Sequence, residues 1–375
     1  MLKSLTLKEL GARINSTDEL LMMLLSHRMG LSLNVGALKL ATGEPIFRPE
    51  AEEGRLEKAR ELANEFGISP NFAYSLLYTI IGESCKQQMI QLQGRPYDRP
   101  PDVKTDEEWH RILKQNLVQL TERVAPIYDE KYGSEFFASA AYKAFESSVL
   151  MQEVEKLSSK ELLVDLGCAT GSKTLQLAPS FKSVVGYDLS RHMVKRANLK
   201  VAEEDKKKIR FQQADLEDGI PLDKDSASFV MMNLGTAGDM PKISDVIKDV
   251  HRVLQAGGRF LFSFYNSDAL VYRWEFLPWP FSLAAEINHN KDCLDVHAGA
   301  DIFSIYAKAY TMQEVESFFP EGMLLNTKVT YPTLSPILPN CIFKIEKEKE
   351  AVLTIDRLLA DSGMGAYIIV TGSKN

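Results

Sequence analysis

Apolar residues recur at Leu10, Ile14, Leu21, Leu24, Leu31, Val35 and Leu38, a spacing of threes and fours that predicts one long helix with these positions on its buried face. Two further helical stretches follow, "EAEEGRLEKARELANEF" and "PNFAYSLLYTIIGESCKQQMIQLQ", set apart by Gly67 and Pro70. The first ninety residues therefore read as helix only. "QGRPYDRPPDVK" (93–104) carries three prolines and little apolar content, and marks the best linker in the chain. Past it, helices over about 105–156 give way to short, continuously apolar runs: "ELLVDLG", "SVVGYDLS", "KIRFQQADL", "SFVMMNLG" and "RFLFSFYN". Helical stretches such as "SRHMVKRANLKVAEED" and "KISDVIKDVHRVLQ" separate them. Apolar strands alternating with helices predict βαβ units around a parallel sheet covered on both faces.

The stretch 24–39, "LLSHRMGLSLNVGALK", places Arg28 in the apolar stripe and Lys39 three turns further along nearly the same face. A guanidinium in such a place needs a carboxylate partner or an anionic ligand.

Composition narrows the classes. The chain has 375 residues, 45% hydrophobic and 25% charged, enough for two domains with proper cores. A net charge of -7 and a pI near 5.6 argue against nucleic acid or an anionic membrane as the main partner. The run "KIEKEKEA" alternates in sign, as on a solvated helix face. Cys85, Cys168, Cys293 and Cys341 form no CxxC pair, which fits reduced thiols in a cytoplasmic protein. The opening segment has no signal-peptide core, and no uncharged apolar run approaches the roughly 18 residues of a membrane span.

The densest chemistry lies in "LLVDLGCATGSKT". A buried strand ends at Asp165, a glycine turn runs through Gly167 and Gly171, and a helix follows, an arrangement that brings a ligand against backbone N–H groups. The second strand ends in Asp188, placed to accept hydrogen bonds from both hydroxyls of a ribose. The third ends at Asp215 and the fourth at Asn233. The dinucleotide fingerprint GxGxxG is not met, because Ala169 and Ser172 occupy its second and third glycine positions.

With the later "LQAGGRFLFSFYN" and the last strand "GAYIIVTGSK", residues 125–375 resemble the class I S-adenosylmethionine (SAM) dependent methyltransferases. The resemblance implies a doubly wound, seven-stranded Rossmann-like sheet whose final strand is antiparallel. It implies SAM as cofactor, with Asp165, Gly167, Ala169 and Gly171 around the methionine moiety, Asp188 and Leu189 at the ribose, Asp215 and Leu216 at the adenine, and Asn233 beside the sulfonium. The family usually has glycine where Ala169 stands. Catalytic residues are not assigned, because methyl transfer asks mainly for in-line positioning. A long insertion, 267–310, precedes the capping-box helix "TMQEVESFF". Its "YRWEFLPWPF" suggests a lid or wall for a small, partly apolar acceptor. His289, Asp292, Asp295 and His297 match no standard metal-site spacing, so no metal is expected.

Residues 5–92 resemble the all-helical class of chorismate mutase, through "LLSHRMGLSLNVGALK", "GEPIFRPEAEE" and "IIGESCKQQ". The resemblance implies an intertwined helical homodimer and a pocket for a dicarboxylate. Its residues here are Arg28, Lys39, Glu52, Ser84 and Gln88. Gly11 and Ala51 stand where the family has arginines, and Arg48 where it has an acid; Arg13, Arg48 or Arg55 could substitute. Each loss removes a charge-assisted contact of about 1.5–3 kcal/mol. The expected organisation is thus 1–92 helical domain, 93–104 linker and 105–375 methyltransferase domain. The expected function is a SAM-dependent methyltransferase of a small molecule, with an impaired mutase domain used for dimerisation or carboxylate binding. A bifunctional mutase and methyltransferase is the alternative. Neither nucleic acid nor membrane is expected as a partner.

Overall fold

A computed structural model describes residues 6–42, 49–92, 99–100, 102–131, 137–273, 285–288, 292–298, 301–338, 343 and 345–375. The chain divides into two compact units, Met1–Asp98 and Arg99–Asn375, and the division falls between residues 98 and 99.

The first unit holds α1 (Leu7–Thr42), α2 (Pro49–Phe66) and α3 (Pro70–Leu92). Gly67, at φ 69°, ends α2 in the left-handed conformation a helix terminus favours, and Pro70 opens α3. The apolar stripe on α1 is not its buried face. Leu10, Ile14, Leu21, Leu24, Leu31, Val35 and Leu38 are all 40–65% exposed. The covered face runs instead through Leu25, Met29, Ser32, Gly36 and Lys39, with Arg28 beside it. Length explains the exposure of Leu10 to Leu24, whereas Leu31 and Val35 border an open cleft beside covered positions. At 1.5 Å per residue α1 is about 54 Å long and α3 only about 35 Å, so α3 leaves part of α1 uncovered.

The second unit begins with α4 (Asp106–Val124), α5 (Tyr128–Lys131) and α6 (Phe137–Glu155). Its sheet is built from β1 (Leu162–Leu166), β2 (Ser183–Asp188), β3 (Ile209–Gln213), β4 (Ala227–Met232) and β5 (Leu254–Asn266), all parallel. Between them lie α7 (Ser172–Leu177), α8 (Arg191–Leu199) and α9 (Ile243–Val253). After β5 come α10 (Leu270–Arg273), β6 (Ala285–Asn288), β7 (Cys293–Ala298), β8 (Asp301–Tyr306), β9 (Ala309–Tyr310) and α11 (Met312–Ser317). The chain closes with β10 (Met323–Tyr331), α12 (Glu346–Leu358) and β11 (Tyr367–Lys374).

Strand order is β10-β11-β5-β4-β1-β2-β3, with β11 antiparallel to both neighbours and short β9 beside β5. The seven-stranded doubly wound sheet with an antiparallel last strand is therefore present. Its continuous apolar strands follow from double-sided burial. Val164, Val230, Phe260, Phe262 and Phe264 face a cluster completed by Ile243, Val246, Ile247, Val250 and Val253 of α9. Leu163, Phe229, Met231 and Leu261 face Tyr142, Val149, Leu150 and Val154 of α6. Thr311 caps α11 reciprocally with Glu314, as its sequence predicts.

The insertion holds more structure than a lid. Strands β6, β7 and β8 form an antiparallel sheet of their own, and Val296, Phe303 and Ile305 pack with Leu120 and Val124 of α4. The tryptophan-bearing stretch 274–281 lies outside the described residues. So does His289, and the side chains of Asp295 and His297 are likewise not described. Among the described residues, no helix is long and apolar enough to cross a membrane, and no group of three or more His, Cys, Asp or Glu could hold a metal. Cys85, Cys168 and Cys293 are buried and unbridged.

Candidate active site

Strand order reverses between β1 and β4, so a crevice opens at their carboxyl ends. The turn leaving β1 passes through Gly167 (φ 78°), Ala169 (φ 45°) and Gly171 (φ 76°) before α7. A Cβ on Gly167 would stand 2.4 Å from Thr236 Cγ2, and one on Gly171 2.5 Å from Phe211 Cζ, so both positions require glycine twice over. Ala169 shares the left-handed conformation, which accounts for glycine being usual there. The alanine costs about 1–2 kcal/mol of strain. Gly186 of β2, unmarked by any sequence pattern, lets Phe211 and Cys168 close on the turn; a Cβ there would meet them at 2.5 and 2.9 Å.

Asp165 is buried and accepts from Thr174 Oγ1 at 2.5 Å, tying strand end to helix start. Burial pushes its pKa up to about 7, with the Thr174 hydrogen bond opposing and the Asp188 and Glu146 charges adding to the rise. Asp188 grips the turn directly. Its Oδ2 accepts the Ala169 N–H and its Oδ1 the Ser190 N–H, both at 2.8 Å. Each oxygen keeps a further lone pair for a ligand hydroxyl. Burial raises this carboxyl to about 6, against the two backbone N–H groups that favour the anion. Leu189 follows it, its carbonyl accepting from Gln213 Nε2 at 3.0 Å.

Asp215 caps the short turn that buries Leu216, accepting the Glu217 N–H at 3.1 Å. It also receives Lys114 Nζ of α4 at 2.8 Å, and the same ammonium bonds Glu217. Burial works against the charge on Lys114, but these bonds outweigh it and raise its pKa. Asp129 is a second clasp, accepting Thr170 Oγ1 at 2.6 Å, Ser172 Oγ at 2.9 Å and Lys200 Nζ at 2.6 Å. Lys114 and Asp129 escaped the sequence reading because they come from helices some forty to a hundred residues before their partners.

Asn233 ends β4, is 8% exposed, and its Oδ1 has no hydrogen-bond partner among the described residues. A buried orphan acceptor at the mouth of the crevice suits a ligand. The paired left-handed residues that follow it, Leu234 (φ 58°) and Gly235 (φ 80°), are held by side chains of α6 and β5: Glu146 Oε1 accepts the Leu234 N–H at 3.0 Å, and Ser263 Oγ the Gly235 N–H at 2.9 Å. Glu146 was not foreseen either. The strand-end acids, the glycine-demanding turn and the orphan carbonyl fit a ribose-bearing cofactor bound across β1, β2 and β4.

In the helical unit Arg28, Lys39, Glu52, Ser84 and Gln88 line one cleft of about 610 Å³, together with Arg55 and an apolar wall that includes Leu31, Val35, Leu76 and Ile80. Arg28 Nη1 bonds Ser84 Oγ and, at 3.3 Å, the Ile80 carbonyl, both neutral groups. Glu52 is buried and pairs with Arg55 at 3.4 Å. Burial and the Arg55 charge pull the Arg28 pKa down, with Glu52 opposing. Gln88 Nε2 donates to Ser32 Oγ at 2.6 Å, while its buried Oε1 has no partner among the described residues. Cations therefore outnumber acids among the described residues lining this open cleft, an excess of positive charge that an anion would relieve. Arg48 lies outside the described residues.

Residues 163–258 match the model of a methyltransferase domain family, and residues 10–89 that of chorismate mutase type II. The demethylmenaquinone methyltransferase of Lactococcus lactis is 38% identical over 101 residues, 26% of this chain and 39% of that protein. The probable S-adenosylmethionine-dependent methyltransferase CRG1 of Saccharomyces cerevisiae is 32% identical over 146 residues, 37% of this chain and 50% of that protein. The T-protein of Enterobacter agglomerans is 35% identical over 78 residues, 21% of each. The chain thus spans half or less of the curated relatives it matches. Its N-terminal helical unit thus matches the chorismate mutase type II model, and its second unit matches a methyltransferase domain model and resembles S-adenosylmethionine-dependent methyltransferases.

Proposed function

We propose that this protein transfers a methyl group from SAM to a small molecule, and that its helical domain binds an anionic carboxylate and pairs two copies of the chain. The observation that carries the first part is Asp188, which holds the cofactor turn by Ala169 N–H and keeps lone pairs at a ribose position. In this reading the 165–171 turn surrounds the methionine moiety, Asp188 and Leu189 meet the ribose, Asp215 and Leu216 the adenine, and Asn233 the sulfonium. SAM supplies an electrophilic methyl carbon. The chain orients it toward an acceptor lying beyond the carboxyl ends of β4 and β5. Three buried, unbridged thiols support a reducing, cytoplasmic setting.

The carboxylate reading rests on Arg28, whose hydrogen bonds go to neutral partners while Glu52 is paired with Arg55. Gly11 and Ala51 remove two cations of the mutase pattern. Arg55, one turn beyond Ala51, lines the same cleft and replaces part of that charge. In the full chain Arg28→Ala is expected to weaken chorismate binding at least tenfold by calorimetry, with SAM affinity unchanged. Equal affinity in the variant would rule out the cleft. Rapid chorismate consumption by the wild type would favour the bifunctional alternative instead.

Dimerisation is supported by the 42–65% exposure of Leu10, Ile14, Leu21 and Leu24, apolar area of the kind a second copy would cover. Sedimentation should give twice the chain mass, and Leu21→Glu with Leu24→Glu should shift it toward one. A wild-type monomer at micromolar concentration would refute the pairing.

A further inference from the structure

Glu146 is a carboxylic acid with no exposed surface, set on α6 between Tyr142, Val149 and Leu150, where helical spacing calls for an apolar residue. Such a group is expensive to bury, and one of its oxygens, Oε2, has no partner among the described residues. Its other oxygen is held, and the Ser263 hydroxyl also supports the carboxyl. Oε1 accepts the Tyr142 hydroxyl at 2.7 Å and the Leu234 N–H at 3.0 Å.

The second of these bonds reaches the loop after β4 where that loop is strained. Leu234 is left-handed, a conformation that costs a leucine energy, and so is Gly235 after it. Three successive N–H groups of the loop have fixed acceptors: Leu234 on Glu146, Gly235 on Ser263, and Thr236 on the Asn233 carbonyl at 3.1 Å. What this bracing determines is the direction of the preceding side chain. Asn233 Oδ1 is buried and has no partner among the described residues, although the three N–H groups after it are bonded. A strained, over-determined backbone beside an orphan acceptor is an arrangement found at sites that hold a ligand group in place.

We propose that Glu146 is a positioning residue of the cofactor site: through the Leu234 N–H it aims the Asn233 side-chain carbonyl at the sulfonium, so that the site prefers charged SAM to the neutral thioether S-adenosylhomocysteine. This rests on the methyltransferase reading above. A carbonyl oxygen facing the sulfonium is attracted to its positive charge and to its polarised methyl C–H bonds, and the thioether offers neither. Burial raises the Glu146 pKa. A proton on Oε2 leaves Oε1 free to accept, so the grip on Leu234 holds in either protonation state.

The test needs no acceptor. SAM and S-adenosylhomocysteine are titrated calorimetrically into the full chain and into Glu146→Gln, Glu146→Leu, Asn233→Ala and the Glu146→Leu/Asn233→Ala double variant. Glu146→Leu and Asn233→Ala should each lower the preference for SAM by roughly fivefold, leaving the thioether affinity nearly unchanged. The double variant should lose no more than either single one, because Glu146 acts through Asn233. Glu146→Gln, whose amide oxygen still accepts, should stay within twofold of wild type. Multiplying losses in the double variant, an unmoved preference in Asn233→Ala, or a loss in Glu146→Gln as large as in Glu146→Leu would each overturn the proposal. If Glu146→Leu does not fold, Asn233→Ala and Glu146→Gln decide it alone. A wild type that binds neither ligand overturns the cofactor reading itself; one that binds both, with a preference that the variants leave unmoved, overturns only the proposed roles of Glu146 and Asn233.

Discussion

Asp188→Ala should abolish measurable SAM binding in calorimetry. The variant loses up to two hydrogen bonds from ribose hydroxyls to a carboxylate, each worth about 1.5–3 kcal/mol, or together roughly a hundredfold to ten-thousandfold in affinity. It also leaves the Ala169 and Ser190 N–H groups without their acceptor, so the turn from β1 loses its brace as well. Asp188→Asn keeps one acceptor oxygen and should fall between the two. Because the free carboxyl sits near 6, SAM affinity in the wild type should decline as pH drops through 6, the proton competing with the ribose. Fold stability runs the other way. The folded state holds this proton up to about pH 6 and the unfolded chain only to about 3.9, so the Asp188 contribution to unliganded stability decreases as pH rises through that window. Wild-type affinity in Asp188→Ala, or SAM binding flat from pH 5 to 8, would remove Asp188 from the ribose.

Asp356→Ala should be the most destabilising substitution away from the cofactor. Asp356 of α12 is fully buried and its carboxylate accepts three consecutive backbone N–H groups, Thr333 at 3.0 Å, Leu334 at 2.5 Å and Ser335 at 3.3 Å. Its removal strands all three, at about 1–3 kcal/mol for each buried donor. Allowing for relaxation, a loss of about 4 kcal/mol and a Tm lower by roughly 10 °C are expected. Asp356→Asn retains an acceptor and should lose less than half of that. A thermal scan showing under 1 kcal/mol would mean that the segment finds other acceptors. The damage should extend inward, because Tyr331 and Tyr367 at the ends of β10 and β11 stack on Phe145 and Tyr142 of α6, at 4.1 and 4.0 Å, and α6 carries Glu146.

The parts of this protein legible in its sequence are those written locally. β1, β2, β4 and β5 are continuous apolar runs because both faces of the sheet are covered there, whereas edge strand β3 alternates; Asp165, Asp188, Asp215 and Asn233 are visible because each closes or follows such a strand. Two kinds of feature stayed hidden. Glu146, Lys114 and Asp129 act on residues about 40 to 100 positions away; nothing local sets Lys114 and Asp129 apart from solvated charges, and only its place on the apolar face of α6 could have marked Glu146. The period of α1 correctly announced a helix, yet period alone does not say which face the chain itself covers: Leu10 to Leu24 stay exposed, and Leu31 and Val35 border an open cleft. Strands β6 to β8 were missed because short alternating segments such as "CLDVHA" compete with the polar turns between them.

The helical cleft has a practical corollary. On the proposed reading, a cleft lined by Arg28, Lys39, Arg55 and Lys58, with Glu52 the one acid among its described lining residues, takes a buffer anion as well as a metabolite. Citrate, phosphate and sulfate are multivalent anions of suitable size, and any of them bound only to the folded state stabilises it by RT ln(1 + [L]/Kd). At a hundred times its Kd the gain is about 2.7 kcal/mol, comparable to the effect of a core substitution. On the proposed anion-binding reading, melting temperatures taken in phosphate and in chloride are expected to differ for this reason.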